Sequence, residues 1–265
     1  MRSPSLYPTP EATWLSAITD ADERHIWIRG YEINELMKKV SFSDVVYLLH
    51  QGQLPTPAIR KIINAILVAC ADHGTNTPSA LSARMVASGN RQGMEAAIAA
   101  GILSIGDAYG GVGSECMEMI HYGITYAHQN EITIELAASQ IVTEITEAGR
   151  HIPGLGRRSH EEDPRVAILF DMMEETKLSG TGIAFLYAIQ TCARKQIAYL
   201  PINVHGMIGA VLHDLGFSPP FAKLFFIISR VAGLSAQVME EYTRENPMRI
   251  SFPVQYDGIK PRSMK

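Results

Sequence analysis

Five short stretches of this chain carry side chains whose types could do chemistry on an acid or a carbonyl. Asn203-Val204-His205-Gly206 sets a histidine between Pro201 and an apolar run, residues 207–212. Gly206 and Gly209 there let another backbone or a ligand come close. With an ordinary pKa of about 6.5, a neutral imidazole at the start of a helix can take up a proton. Asp72-His73-Gly74-Thr75-Asn76 offers a second histidine. Tyr109, before Gly110-Gly111, has a phenol able to donate a hydrogen bond to an oxyanion. Arg157-Arg158 follows the glycine-rich Ile152-Pro153-Gly154-Leu155-Gly156, and Arg165 follows Asp163-Pro164. A guanidinium fork suits carboxylates. Proton transfer beside bound anions is the chemistry such a set would support.

The elements that must position these groups are helical. Apolar residues recur at helical spacing after residue 30. A short helix over 43–50 is stopped by Gly52, with Pro55 and Pro57 marking the turn. Residues 58–71 form an apolar helix ending near Asp72-His73-Gly74, and Pro78 opens the next, to about residue 88. Residues 92–105 are alanine-rich and apolar on nearly all faces, which predicts a buried helix. Helices follow over 113–128 and 132–148, with Glu131, Glu135, Glu144 and Glu147 toward solvent. The stretch 149–160 reads as a ligand-facing loop. Helices over 164–176, 182–195, 204–215 and 220–245 complete the pattern, and the last twenty residues read as an irregular tail. Only residues 13–31 look strand-like, with Ile26, Ile28 and Tyr31 alternating around charges. The predicted class is all-α with a small N-terminal β element.

Composition narrows the function classes. The chain has 265 residues, 46% hydrophobic and 19% charged, with a net charge of −4, so bulk electrostatics do not favour nucleic acid. Apolar runs such as 62–71 are far shorter than the roughly 20 residues of a membrane span. Residues 1–10 lack the pattern of a signal peptide. Cys70, Cys116 and Cys192 lie in apolar runs with wide spacing; they read as core residues, and a reducing cytoplasm fits best. His121, His128, His151, His160 and His213 have no metal-ligand spacing, and no metal is expected. Met117, Met119, Met172, Met173 and Met239 read as helix core.

Taken in order, several segments resemble the citrate synthase superfamily, most of all its short citryl-CoA lyase branch, which is similar to the C-terminal module of ATP-citrate lyase. They are residues 28–36, 41–49 and Gly52-Gln53-Leu54-Pro55, then Asp72-His73-Gly74-Thr75-Asn76 and Tyr109-Gly110-Gly111. Ile152-Pro153-Gly154-Leu155-Gly156, Asp163-Pro164-Arg165 and Asn203-Val204-His205-Gly206 complete the set. The resemblance implies a two-lobed helical homodimer, or a dimer of dimers, with its active site in the cleft between the lobes. On this chain the large lobe would be residues 1–110 and 210–265, and the small lobe 111–209. It implies making or breaking a carbon–carbon bond beside a CoA thioester. The partners would be an acyl-CoA and an organic or keto acid; the CoA thioester is a substrate, and no cofactor is held permanently. His73 matches the family histidine that contacts the oxyacid, and Arg165 the arginine that holds its carboxylate. Asn203 and Arg158 are assigned to the substrate, and Gly154 and Gly156 to the CoA side.

Three positions depart from the family pattern. The family base is an aspartate in Asn-Val-Asp; here it is His205. The donor to the thioester oxygen is commonly a histidine before Gly-Gly; here it is Tyr109. The histidine that polarises the keto group is replaced by Arg157. A late arginine before a proline is absent, because Phe252 precedes Pro253. Each replacement can still do chemistry: His205 as base, Tyr109 as donor, Arg157 as a clamp on a developing oxyanion. The leading expectation is therefore a Claisen-type lyase or condensing enzyme acting on a non-citrate substrate. Unchanged citryl-CoA cleavage and a non-catalytic CoA- or acid-binding oligomer are the rivals. Other uses remain open for each residue: His73 as a helix-end histidine, His205 as a satisfied pocket histidine, Tyr109 as a packing aromatic, and Arg157-Arg158 as a solvated pair or as a contact to CoA phosphates.

Overall fold

The computed structural model describes residues 15–107, 109–156, 162–260 and 262–263. Arg157 and Arg158 lie outside them. The described residues form eleven helices and one small N-terminal sheet, β1 (Thr19–Ala21), β2 (Ile26–Ile28) and β3 (Tyr31–Glu32), antiparallel in the order β1-β2-β3. The β2–β3 turn puts Arg29 and Gly30 at φ +50° and +85°, the left-handed pair that a two-residue hairpin requires. A non-glycine residue is held there because the Arg29 guanidinium donates to the Leu49 carbonyl, at 2.8 and 3.1 Å.

The helices are α1 (Ile33–Lys39), α2 (Phe42–Gln51), α3 (Pro57–Cys70), α4 (Pro78–Gly89), α5 (Met94–Leu103) and α6 (Val112–Gln129). They continue with α7 (Ile134–Glu147), α8 (Pro164–Thr176), α9 (Thr181–Gln196), α10 (Val204–Asp214) and α11 (Pro220–Arg244). Start and stop signals in the sequence act as expected. Gly52 closes α2 in the left-handed region, and proline opens α3, α4 and α8. Ser41 and Asp44 form a capping box on α2. The helix α1 went unread, being short and without a side-chain cap.

The chain divides into two compact units. One takes residues up to Ala71 with Gly110–Ser229; the other takes Asp72–Tyr109 with the residues from Arg230 onward. In the first unit, α6 packs against α7, α9 and α10, and α3 against α2 and α8. Its core includes Ile62, Ile66, Met117, Ile120, Phe185 and Leu186. The α6–α9 crossing is close at Gly123, where an added Cβ would strike the Phe185 ring. In the second unit, Ala83, Ala87, Ala97, Leu234 and Val238 form an alanine-rich core between α4, α5 and α11.

Four expectations need correction. The helix over 92–105 is not buried all round: only Ala97 and Gly101 are buried in α5, and Leu103 is 84% exposed. A helix apolar on every face cannot say which face packs. Cys192 is half-buried rather than core, with its Sγ 3.7 Å from the Glu135 carbonyl. Met239 is exposed. Finally, α11 is long and apolar enough to cross a membrane by length and composition, although polar residues interrupt its apolar runs. It carries buried Arg230, Gln237 and Glu241 beside Phe225, Leu234 and Val238, the pattern of a core helix with polar partners of its own.

Candidate active site

His205 sits in the first turn of α10. Its seat is made by Asn203, the N-cap, whose Oδ1 accepts from the backbone N–H of His205 at 3.0 Å and of Gly206 at 3.1 Å. The other end of the same amide, Nδ2, donates to the Gly156 carbonyl at 3.1 Å. One side chain thus starts the helix and ties the glycine-rich loop to it. The loop is held again by backbone bonds, Asn203 N–H to the Gly154 carbonyl at 3.0 Å and Gly156 N–H to the Pro201 carbonyl at 2.7 Å. The His205 ring lies against Phe226, centroids 5.1 Å apart.

Two glycines make that docking possible. Gly154 (φ +83°) packs directly on Gly206, and a Cβ on either would strike the other's backbone. Cys116 fills the space behind them. Burial pushes its thiol up to about 12, so it serves as an un-ionised packing group. Gly154 is therefore committed to packing, whereas Gly156 (φ +85°) has open space where a side chain would be. The chain runs on from Gly156 to Arg157, beyond the described residues.

Arg165 stands on the first turn of α8. Its Nε and Nη2 clasp the two oxygens of buried Asp163 at 2.9 and 2.7 Å, and Nη1 donates to the Ala69 carbonyl of α3 at 2.9 Å. Burial alone would push this guanidinium down, but the Asp163 clasp outweighs it and holds Arg165 above its ordinary value. Three of its five N–H donors are thus taken by described residues of the protein.

The second unit carries Tyr109 and His73. Tyr109 closes a tight turn with Gly106, and its hydroxyl lies 2.9 Å from Ser79 Oγ. Arg230 Nη1 donates to that hydroxyl at 3.1 Å. The phenol thus sits between a cation that donates to it and a serine hydroxyl with which it shares a hydrogen bond. His73 lies in an exposed turn whose shape is set by Asp72: the carboxylate accepts from Gly74 N–H at 3.1 Å, with Gly74 at φ +85°.

The sequence reading missed Ser79 and Arg230, both buried at Tyr109, and the polar residues Gln237 and Glu241 further along α11. A signal existed. Positions 230, 234, 237, 238 and 241 share one helical face, so the polar residues lie on the same stripe as the core residues Leu234 and Val238. Among the described residues, no three His, Cys, Asp or Glu side chains stand together where they could hold a metal ion.

The citrate synthase C-terminal domain model matches residues 11–61 and 55–251, most of the chain. A 2-methylcitrate synthase of Shewanella oneidensis is 26% identical over 224 residues, 83% of this chain and 56% of that protein. A probable ATP-citrate synthase of Caenorhabditis elegans is 27% identical over 214 residues, 18% of its own length. The chain thus spans little more than half, or less, of these relatives. The citryl-CoA lyase of Hydrogenobacter thermophilus superposes with a TM-score of 0.87 at 34% identity, covering 96% of this chain and 98% of that one. The ATP citrate lyase of Methanothrix soehngenii, solved with citrate and coenzyme A, shares the fold at 20% identity and a TM-score of 0.74, over 94% of this chain and 43% of that one. This chain belongs to the citrate synthase family, in its citryl-CoA lyase-like branch.

Proposed function

We propose that the protein makes or breaks a carbon–carbon bond beside a CoA thioester, with a keto acid as the second substrate or product, and that the adduct is not citryl-CoA. In the condensing direction His205 removes a proton from the carbon next to the thioester carbonyl. Tyr109 donates to the oxygen of the resulting enolate. The carbanion attacks the keto carbon of the acid, Arg157 stabilises the alkoxide that forms, and a water molecule delivers the proton that makes it a hydroxyl. Arg165 and His73 hold the acid. Cleavage runs the same steps backwards, with His205 returning the proton.

The observation that carries this reading is the seat of His205. A base must be fixed in place to be effective, and Asn203 fixes the backbone of His205 and the loop leading to Arg157 together. The non-citrate part rests on the residue types at 109, 157 and 205. The test is deuterium exchange at the α-carbon of a panel of acyl-CoA thioesters, followed by NMR. Exchange by the wild type and its loss in His205→Ala is expected; no exchange with any thioester, or equal exchange in the variant, removes the reading.

A second reading, citryl-CoA as the substrate itself, is favoured by the near full-length likeness to the citryl-CoA lyase of Hydrogenobacter thermophilus. Acetyl-CoA release from citryl-CoA at an ordinary rate would establish it over the first. Dimerisation belongs to either reading. The exposed apolar residues of α5, Met94 and Leu103, offer a surface that a second copy would cover. Light scattering should then give a dimer that Leu103→Asp weakens; a wild-type monomer would exclude it.

A further inference from the structure

We propose that Gln237 is a positioning residue for His73, acting through the carboxylate of Asp72, and that Arg84 and Glu241 orient its amide. This rests on the reading of His73 as a contact to the acid substrate.

Gln237 is buried on α11. Its Oε1 accepts from Arg84 Nη1 at 2.9 Å, and its Nε2 donates to Asp72 Oδ2 at 3.2 Å and to Oδ1 at 3.4 Å. Arg84 offers only donors and the carboxylate only acceptors, so the amide fits in one orientation alone. Arg84 is itself fixed, donating to Glu241 at 3.0 Å and Glu240 at 2.9 Å. Glu241 is fully buried and also receives Arg249, at 2.6 and 3.0 Å. Donors and acceptors therefore alternate without a break from Arg249 through Glu241, Arg84 and Gln237 to Asp72.

Asp72 is the residue before His73, and its carboxylate also holds the N–H of Gly74, the residue after. The backbone on both sides of the histidine thus answers to one carboxylate, and Gln237 anchors that carboxylate to α11. The Asp72 side lies on an open cavity of about 450 Å³, lined also by Gly233, Ala236, Glu240 and Thr243. Glutamine suits the place by its chemistry. Glutamate would keep the Arg84 contact but set a like charge against Asp72, and methionine would leave both neighbours without their hydrogen bond.

The test uses the intact protein and the ring 1H–13C resonance of His73, identified by its disappearance in His73→Ala. In Gln237→Met and Gln237→Glu that resonance should move or split in the ligand-free protein. Under turnover, Gln237→Met should lower kcat/KM for the acid substrate roughly tenfold, and should add nothing in an Asp72→Ala background. An unmoved His73 resonance in folded Gln237→Met, or an effect that adds fully to Asp72→Ala, overturns the proposal. If Gln237→Met fails to fold, Gln237→Glu, which keeps the size and the Arg84 contact, decides in its place. If the resonance moves while His73→Ala turns over like wild type, the positioning stands and the assignment of His73 to the substrate falls instead.

Discussion

His205 sits in the first turn of a helix and Tyr109 in a tight turn, and the two units hold them by different means. Around His205 the work is done by backbone. Gly154 and Gly206 meet without side chains between them, one asparagine caps the helix, and the loop is laced on by main-chain hydrogen bonds. Around Tyr109 and His73 the work is done by long charged and polar side chains. Arg230 and Ser79 reach the phenol, and a buried chain from Glu241 through Arg84 and Gln237 reaches Asp72. Backbone docking tolerates almost no added volume but does not depend on charge. A buried ion chain tolerates modest changes of shape but fails when one charge is left without its partner.

The sharpest way to break this comparison is to remove the charge at the root of the second arrangement. Glu241→Ala leaves Arg84 and Arg249 without their shared acceptor, and should cost roughly 3–5 kcal/mol in denaturant unfolding. A loss below about 1 kcal/mol would mean the chain is not a structural unit. Next comes the first arrangement. Gly206→Ala drives a methyl group into the Gly154 backbone, and should cost about 1–3 kcal/mol. It should abolish His205-dependent deuterium exchange even in the fraction that remains folded. Wild-type exchange in Gly206→Ala would show that the loop docking does not matter to the site.

This contrast also explains what could be read in the sequence. The helices were legible because their ends are local chemistry: Gly52 for a left-handed stop, Pro57, Pro78 and Pro164 for first turns. The seat of His205 was legible only in part: its place at the start of a helix follows from neighbouring residues, but Asn203, expected at the substrate, is the N-cap, with both ends of its amide bonded within the protein. The link from Asn203 to Gly156 was not legible, because it joins residues 47 apart. Farther still, Arg84 meets Gln237 and Glu241 across 153 and 157 residues. An arginine in the alanine-rich α4 says nothing by itself about a glutamate on α11. The open face of α5 was illegible for a third reason: a helix apolar on all sides has no pattern from which to choose a face.

A smaller change separates the two duties of Asn203. Asn203→Ala should lose the cap and the loop contact together, costing about 1–2 kcal/mol. Asn203→Ser keeps a capping oxygen but cannot reach the Gly156 carbonyl. Its stability should stay within about 0.5 kcal/mol of wild type, because serine caps nearly as well as asparagine, while deuterium exchange falls. Equal exchange in the serine variant and wild type would show that the loop needs no side-chain tether.

The smallest effect concerns Asp44, where a local cap and a long-range charge meet in one residue. Asp44 is buried, accepts from Ser41 N–H at 2.8 Å and pairs with Arg60 at 2.7 Å. Burial pushes its carboxyl up, but the Ser41 hydrogen bonds and the Arg60 charge prevail and hold it below the usual carboxylate range. A carboxyl depressed on folding stabilises the native state above its unfolded value of about 4, and that contribution disappears as pH falls through the lower folded value. Asp44→Asn should therefore cost roughly 0.5–1 kcal/mol near neutrality, because the Arg60 side chain is half exposed and screened. The gap to wild type should close as the pH is lowered through the carboxylate range. A gap that persists unchanged in acid would assign the role of Asp44 to its shape as a capping group, and would place it with the backbone devices of its own unit. A gap that shrinks with added salt at neutral pH would assign the larger share to Arg60, the same long-range pairing on which the other unit depends.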